Sequence, residues 1–233
     1  MEGTICSVCG NRLLAPSNSP DESPCCGDCL SVQPPFEKAL AYGPYEGALR
    51  DLIHLLKYAM VRPAANVLGR MAGEAFLELA PRMNHGAPLV VPVPLHASKL
   101  NARGFNQSEL IARAALKHAP VGELAPSVLR RRRSTETQTG LTPQQRRLNV
   151  RGAFHAERRE QISGRDILLV DDVFTTGTTA TECARVLRRA GAARVWVVTV
   201  ARVLLPEAAG VQVNDFDEAE TGSRVPLAKA ARA

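Results

Sequence analysis

Apolar residues recur at positions 45, 48, 49, 52, 53, 56 and 59, the spacing that lays one stripe along a helix, so Tyr45 to Ala59 predicts an amphipathic helix. Ala64 to Leu79 reads as a second helical stretch, and Ser108 to His118 as a third that follows a glycine-containing loop. Short apolar runs predict strands at Ala39 to Tyr42 and at Leu89 to Val93, the latter ended by Pro92 and Pro94, with Phe154 in an edge strand. The second half is more regular. Ile167 to Val170 is a strand of the buried type, Thr178 to Ala190 a helix that stops at Gly191, and Arg194 to Ala201 another apolar strand. A strand, helix, strand succession of this kind is the unit of a parallel sheet, so the chain predicts an α/β fold.

The pattern fails at both ends. Residues 1–35 hold five of the six cysteines and five prolines but too few large apolar residues for a core, while residues 205–233 show no apolar period and predict a mobile tail. Three parts follow: 1–35, 36–204 and 205–233. The first needs another source of stability, and Cys6-x2-Cys9, sixteen residues, then Cys26-x2-Cys29 supplies one, because two paired-cysteine knuckles are the ligand spacing of a four-thiolate zinc ribbon. Cys25 leaves a second register open, with Cys26 preferred for its tighter spacing to Cys29. The amino terminus lacks the basic, then apolar, then small-residue order of a secretory signal, and no apolar run reaches membrane-spanning length. The expected location is the cytoplasm, where disulfides are disfavoured and metal ligation is the better account of the cysteines.

Charge points to the ligand. The formal net charge is +6, but from Pro94 to Glu160 thirteen basic residues stand against five acidic ones, so a polyanion is expected there. The sharpest chemistry follows, in Ile167-Leu-Leu-Val-Asp171-Asp172-Val-Phe-Thr175-Thr176-Gly177-Thr178-Thr179. Carboxylates at the end of a parallel strand can accept from vicinal ribose hydroxyls and hold magnesium, and a threonine and glycine turn opening a helix offers N–H and hydroxyl groups to a phosphate. No lysine follows Gly177, so this is not a nucleoside-triphosphate P-loop. Cys183, at helical spacing from Ala180, Ala184 and Leu187, is expected in the core.

This segment resembles the ribose-phosphate signature of type I phosphoribosyltransferases, although Thr175 stands where purine-salvage members carry an acid that contacts the base. Two further stretches join it. Val91-Pro-Val-Pro-Leu-His96 leads into a loop with Lys99, Arg103, Asn106 and Gln107, which predicts a second anion site. The polar run Arg131, Arg133, Thr135, Gln138, Leu141, Arg146 and Asn149 suits a lid over a charged ligand. Together the three motifs resemble the ComF family, competence-associated proteins with similarity to amidophosphoribosyltransferases.

The resemblance implies a type I phosphoribosyltransferase fold, mainly a parallel sheet flanked by helices, with a small amino-terminal zinc ribbon. It implies binding of 5-phosphoribosyl 1-diphosphate with magnesium: Asp171 and Asp172 on the ribose and metal, Thr175 to Thr179 on the 5-phosphate, Arg103 facing the diphosphate, Arg133 and Gln138 in the lid. Asp171, Asp172 and Arg103 would carry the catalysis of a pentosyl transfer to a nitrogen acceptor. The implied cellular setting is DNA uptake, with single-stranded DNA and a competence helicase as partners. A sensor of the sugar phosphate or a DNA-handling protein without turnover is the competing expectation. Only Phe105 and Phe154 stand out as base-stacking residues in the basic stretch, so DNA would be held mainly through its phosphates.

Overall fold

The computed structural model describes residues 4–13, 23–133 and 143–204. In chain order the elements are α1 (Gly27–Ser31), β1 (Ala39–Pro44), α2 (Gly47–Lys57), α3 (Ala64–Leu79), β2 (Leu89–Pro92), α4 (Ala97–Arg103), α5 (Gln107–His118), β3 (Glu123–Leu124), β4 (Leu129–Arg131), α6 (Pro143–Val150), β5 (Phe154–Ala156), α7 (Arg159–Ile162), β6 (Asp166–Phe174), α8 (Thr178–Arg189) and β7 (Arg194–Arg202). A five-stranded sheet runs in the order β1-β7-β6-β2-β3 with every pairing parallel, and β4 pairs antiparallel with β5 beside it.

Side chains alternate across the central strand. Ile167 and Leu169 enter a core with Cys183, Ala184 and Leu187 of α8, whereas Leu168 and Val170 enter another with Leu68, Phe76 and Ile111 of α3 and α5. Both faces of β6 are therefore covered, which is why its sequence is a continuous aliphatic run rather than an alternation. Helices α3 and α5 approach closely because Gly69 faces Ala114, whose methyl would collide with any β-carbon at position 69. Cys183 is fully buried in the first core, as its spacing predicts.

The connections position the site. From β2 the chain passes through α4 and α5 to β3, and from β6 through α8 to β7 on the opposite side. Neighbouring strands whose connections depart in opposite directions leave a crevice at their carboxyl ends, the place where open α/β sheets bind ligands. At the other end of β6, fully buried Asp166 accepts from the Asn84 amide at 3.0 Å and from Arg194 at 3.0 Å. The cysteine segment is tied to the edge strand, where Ala39 donates its N–H to the Val8 carbonyl at 2.7 Å.

Observed limits differ from the sequence expectation at α2, which is Gly47–Lys57 instead of Tyr45 to Ala59, and at two strands. β1 runs on to Pro44, and β6 reaches Phe174 instead of stopping at Val170, because β7 continues beside it: Asp171 pairs with Thr199 and Val173 with Ala201. The acidic pair thus sits within the ladder, not beyond it. Gln138, Thr135 and residues 205–233 lie outside the described residues, and with them the expected centre of the lid and the expected tail.

Candidate sugar-phosphate site

At the carboxyl end of β6, Asp171 and Asp172 meet the amino end of α5 across the crevice. Ser108 Oγ donates to Asp171 Oδ1 at 2.9 Å, and the Asp172 amide donates to the same oxygen at 2.9 Å. Asp172 is buried, with 4% of its surface exposed, and its Oδ2 is ion-paired with Lys57 Nζ at the end of α2. Asp171 is partly buried, so of the two only Asp172 is closed off from solvent.

The charges are unequal in consequence. Burial, and next the charge of Asp172, pushes Asp171 up to about 8. Burial also acts to raise Asp172, but the Lys57 ammonium, its hydrogen bond and the field of Arg103 outweigh it and hold that carboxyl below the ordinary value. Burial would lower Lys57, and the attraction of Asp172 overcomes it, lifting the ammonium to about 12. One carboxylate is firmly ionised and already has a cation; the other keeps a proton easily.

The threonine turn follows. Gly177 takes φ +72° as the residue before α8, no side chain caps the helix, and Thr176 Oγ1 lies 2.9 Å from Thr178 Oγ1. Uncapped first-turn N–H groups at a helix of this length are donors suited to an anion. Below them Phe174 fills the space under Gly177, packs edge-on against Phe36 at 6.3 Å, and lies under the Arg202 guanidinium at 4.7 Å.

The loop from His96 to Gln107 is built on caps. Asn106 accepts from the Ser108 amide at 3.1 Å to start α5 and donates to the Val93 carbonyl at 3.0 Å, fixing the loop to the end of β2. Arg103 Nη1 donates to buried Gln107 Oε1 at 2.6 Å, so Gln107 orients the cation. Lys99 lies half-buried on α4. His96 accepts from the Ser98 amide at 3.3 Å and begins α4 as its cap. Arg133 donates to the carbonyls of Asn149 and Arg151 at 2.7 and 2.9 Å, joining the end of β4 to the end of α6. Phe105 and Phe154 are buried, beneath Arg62 and Arg131, and offer no open ring to a base.

In the amino-terminal segment, the ligand sulfurs of Cys6, Cys9, Cys26 and Cys29 all lie within 4.8 Å of one another, with Cys9 and Cys26 3.6 Å apart. Four thiolates about 2.3 Å from one zinc would stand roughly 3.8 Å apart, so the cluster is compatible with a structural zinc. Cys25 approaches Cys6 at 3.9 Å but lies outside that group of four. A hydrogen bond from Cys29 draws Cys9 down to about 5, while burial lifts Cys26 to about 11 and the bond to Cys9 lifts Cys29 further. Burial acts to raise Cys6, but backbone hydrogen bonds outweigh it and draw this thiol down as well. Arg202 donates to the Cys9 carbonyl and contacts its sulfur at 3.7 Å.

Lys57, Ser108 and Arg202 escaped the sequence reading. Lys57 had a faint signal, since it lies four residues beyond Ile53 on the buried stripe of α2, an odd place for a lysine.

Known proteins agree with this architecture. Residues 107–212 match the family model described as a phosphoribosyl transferase domain. The DNA utilization protein YhgH of Salmonella typhi is 35% identical over 211 residues, covering 86% of this chain and 91% of that protein. Competence protein F of Haemophilus influenzae is 30% identical over 201 residues, covering 84% of each. A solved hypoxanthine phosphoribosyltransferase from Staphylococcus aureus aligns at 17% identity and a TM-score of 0.38, over 58% of this chain and 62% of that one. The parallel sheet, its flanking helices and the matched domain are the α/β phosphoribosyltransferase fold that the three motifs imply. With relatives of this identity over most of its length, the chain belongs to the ComF family, that of the DNA utilization protein YhgH and competence protein F.

Proposed function

We propose that the protein binds 5-phosphoribosyl 1-diphosphate in the crevice between β2 and β6 and serves DNA uptake or utilisation, the activities for which its relatives are named. The observation that carries the ligand is convergence: the acidic pair, the uncapped start of α8 and the Asn106–Ser108 cap of α5 meet at the carboxyl ends of adjacent strands whose connections diverge. Ribose hydroxyls donate to Asp171 and Asp172. The 5-phosphate accepts from the first-turn amides of α8 and from hydroxyls among Thr175, Thr176, Thr178 and Thr179. Lys99 and Arg103 face the diphosphate, with Arg133 and Gln138 in the covering lid.

That arrangement suits displacement at the anomeric carbon, in which the bond to diphosphate breaks as a nitrogen nucleophile attacks, with positive charge developing on the ribose beside Asp171. Magnesium, when bound, neutralises the departing diphosphate. Residues 1–35 form the zinc-held unit, residues 36–204 the ligand-binding unit, and the protein works in the cytoplasm.

Calorimetry on the full chain tests the ligand. Binding of 5-phosphoribosyl 1-diphosphate with magnesium should weaken about tenfold or more in the double variant Asp171→Asn with Asp172→Asn, the size of one charge-assisted contact. No binding by folded wild type at millimolar ligand would overturn the reading. Diphosphate release with a panel of bases, ammonia and glutamine separates a transferase from a sensor.

A second reading, a single-stranded DNA-handling protein working beside a competence helicase, is favoured by the exposed cations Arg130, Arg132, Arg133, Arg151, Arg158 and Arg159. With Phe105 and Phe154 buried, binding would rest on phosphate contacts and fall steeply with salt. Titration of a fluorescent oligonucleotide at two salt concentrations checks it, and affinity indifferent to salt would exclude the electrostatic account.

A further inference from the structure

We propose that Lys57 is the resident cation of the acidic pair: its ammonium holds the place on Asp172 that a divalent ion would otherwise take, so the protein does not preload metal and magnesium enters only with the diphosphate. This rests on the ligand reading above and changes the part assigned to the pair, from a metal site to a clamp for ribose hydroxyls.

The geometry is specific. Lys57 is the last residue of α2, its side chain is 18% exposed, and its partner Asp172 is 6% exposed at the side chain, so the pair is largely shielded from water. Asp172 Oδ1 accepts from the Val173 amide at 3.0 Å, which leaves Oδ2 as the oxygen for a cation, and Lys57 takes it. Asp171 Oδ1 is used by Ser108 and by the Asp172 amide. A divalent ion approaching both carboxylates would meet an ammonium at contact distance, and repulsion between a monovalent and a divalent cation in a poorly solvated crevice is large.

The lysine is also held where it is. The connection that follows α2 turns through Met60 at φ +55°, an unusual conformation for a side-chain-bearing residue, and Arg62 lies over the Phe105 ring at 5.1 Å with a bond to the Gly104 carbonyl at 3.4 Å. The same short segment thus touches the acidic pair at one end and the Arg103 loop at the other. Lys57 acts through Asp172 and is a positioning residue.

The test uses zinc-loaded full-length protein and manganese(II) as the probe, with free metal counted by electron paramagnetic resonance and no sugar ligand present. Wild type should take up no manganese at submillimolar concentration. Lys57→Met, which keeps length without charge, should gain a site at least about tenfold tighter than any in wild type. Adding Asp172→Asn to that variant should abolish the gain, a result that a merely structural lysine would not give. Micromolar uptake by wild type, or a folded Lys57→Met that gains nothing, overturns the proposal. Lys57→Gln serves with the same outcomes should the methionine variant fail to fold, and the wild-type titration decides independently of both. Failure of wild type to bind 5-phosphoribosyl 1-diphosphate would instead strike the ligand reading and leave the manganese result intact.

Discussion

Gly177→Ala should destabilise the protein far more than a surface methyl normally does. The position has φ +72°, and a β-carbon there would stand 2.5 Å from Phe174 Cζ and 2.8 Å from Cε1. Left-handed backbone costs a residue with a β-carbon about 1–2 kcal/mol. The ring cannot easily withdraw, because it is 6% exposed, set against Phe36 and covered by Arg202, so the overpacking adds about 1–3 kcal/mol. The two contributions together predict a loss of about 2–5 kcal/mol. Urea unfolding can be followed by the fluorescence of Trp196, the single tryptophan, which is buried on β7 beside β6. A cycle with Phe174→Leu separates the causes: the smaller side chain should relieve the collision but not the backbone strain, giving a favourable coupling of about 0.5–3 kcal/mol. A Gly177→Ala loss within about 0.5 kcal/mol, or an additive cycle, would refute the reasoning.

Asp172→Asn should cost stability even without ligand, toward the low end of the about 3–5 kcal/mol typical of a broken buried pair, because it strands the Lys57 ammonium. Adding Lys57→Met should restore most of that loss in the same urea assay, and an unaffected single variant would contradict the pairing. Elemental analysis should find about one zinc per chain. Stripping it should lower the thermal midpoint, and a metal-free protein with an unchanged midpoint would count against the zinc. Burial acts to raise Asp166, but Arg194 and His85 outweigh it and hold it low, so its stabilisation is complete above the unfolded carboxylate value of about 3.9 and is lost as pH falls through the lower folded value. Arg194→Met should therefore lower stability at neutral pH and flatten its fall below about pH 4, and an acid dependence identical to wild type would show that the network contributes nothing.

Much of this protein is local, and the local part was readable. Helix α3 spans Ala64–Leu79 as its pattern predicts, since its apolar face is set by neighbours along the chain. The acid and threonine motif was legible because strand, carboxylates and threonine turn lie within thirteen consecutive residues. The cysteine knuckles suggested a four-thiolate cluster by their spacing, which also preferred Cys26 to Cys25, and the structure brings the sulfurs of Cys6, Cys9, Cys26 and Cys29 together.

What sequence could not supply is every property that depends on a distant partner. Strand β6 continues through two aspartates because β7 lies alongside to complete the ladder, whereas polar residues read in isolation mark a strand's end. Gly177 reads as room for phosphate, yet the structure gives it a second reason in the Phe174 ring beneath it. Phe105 and Phe154 read as stacking candidates, and packing buries both. Lys57 and Asp172 are separated by most of the domain, and nothing in either neighbourhood announces the other. Periodicity and motif spacing encode what a residue does to its neighbours in the chain, whereas burial and charge pairing arise only when the sheet closes and removes water between segments that the chain keeps apart.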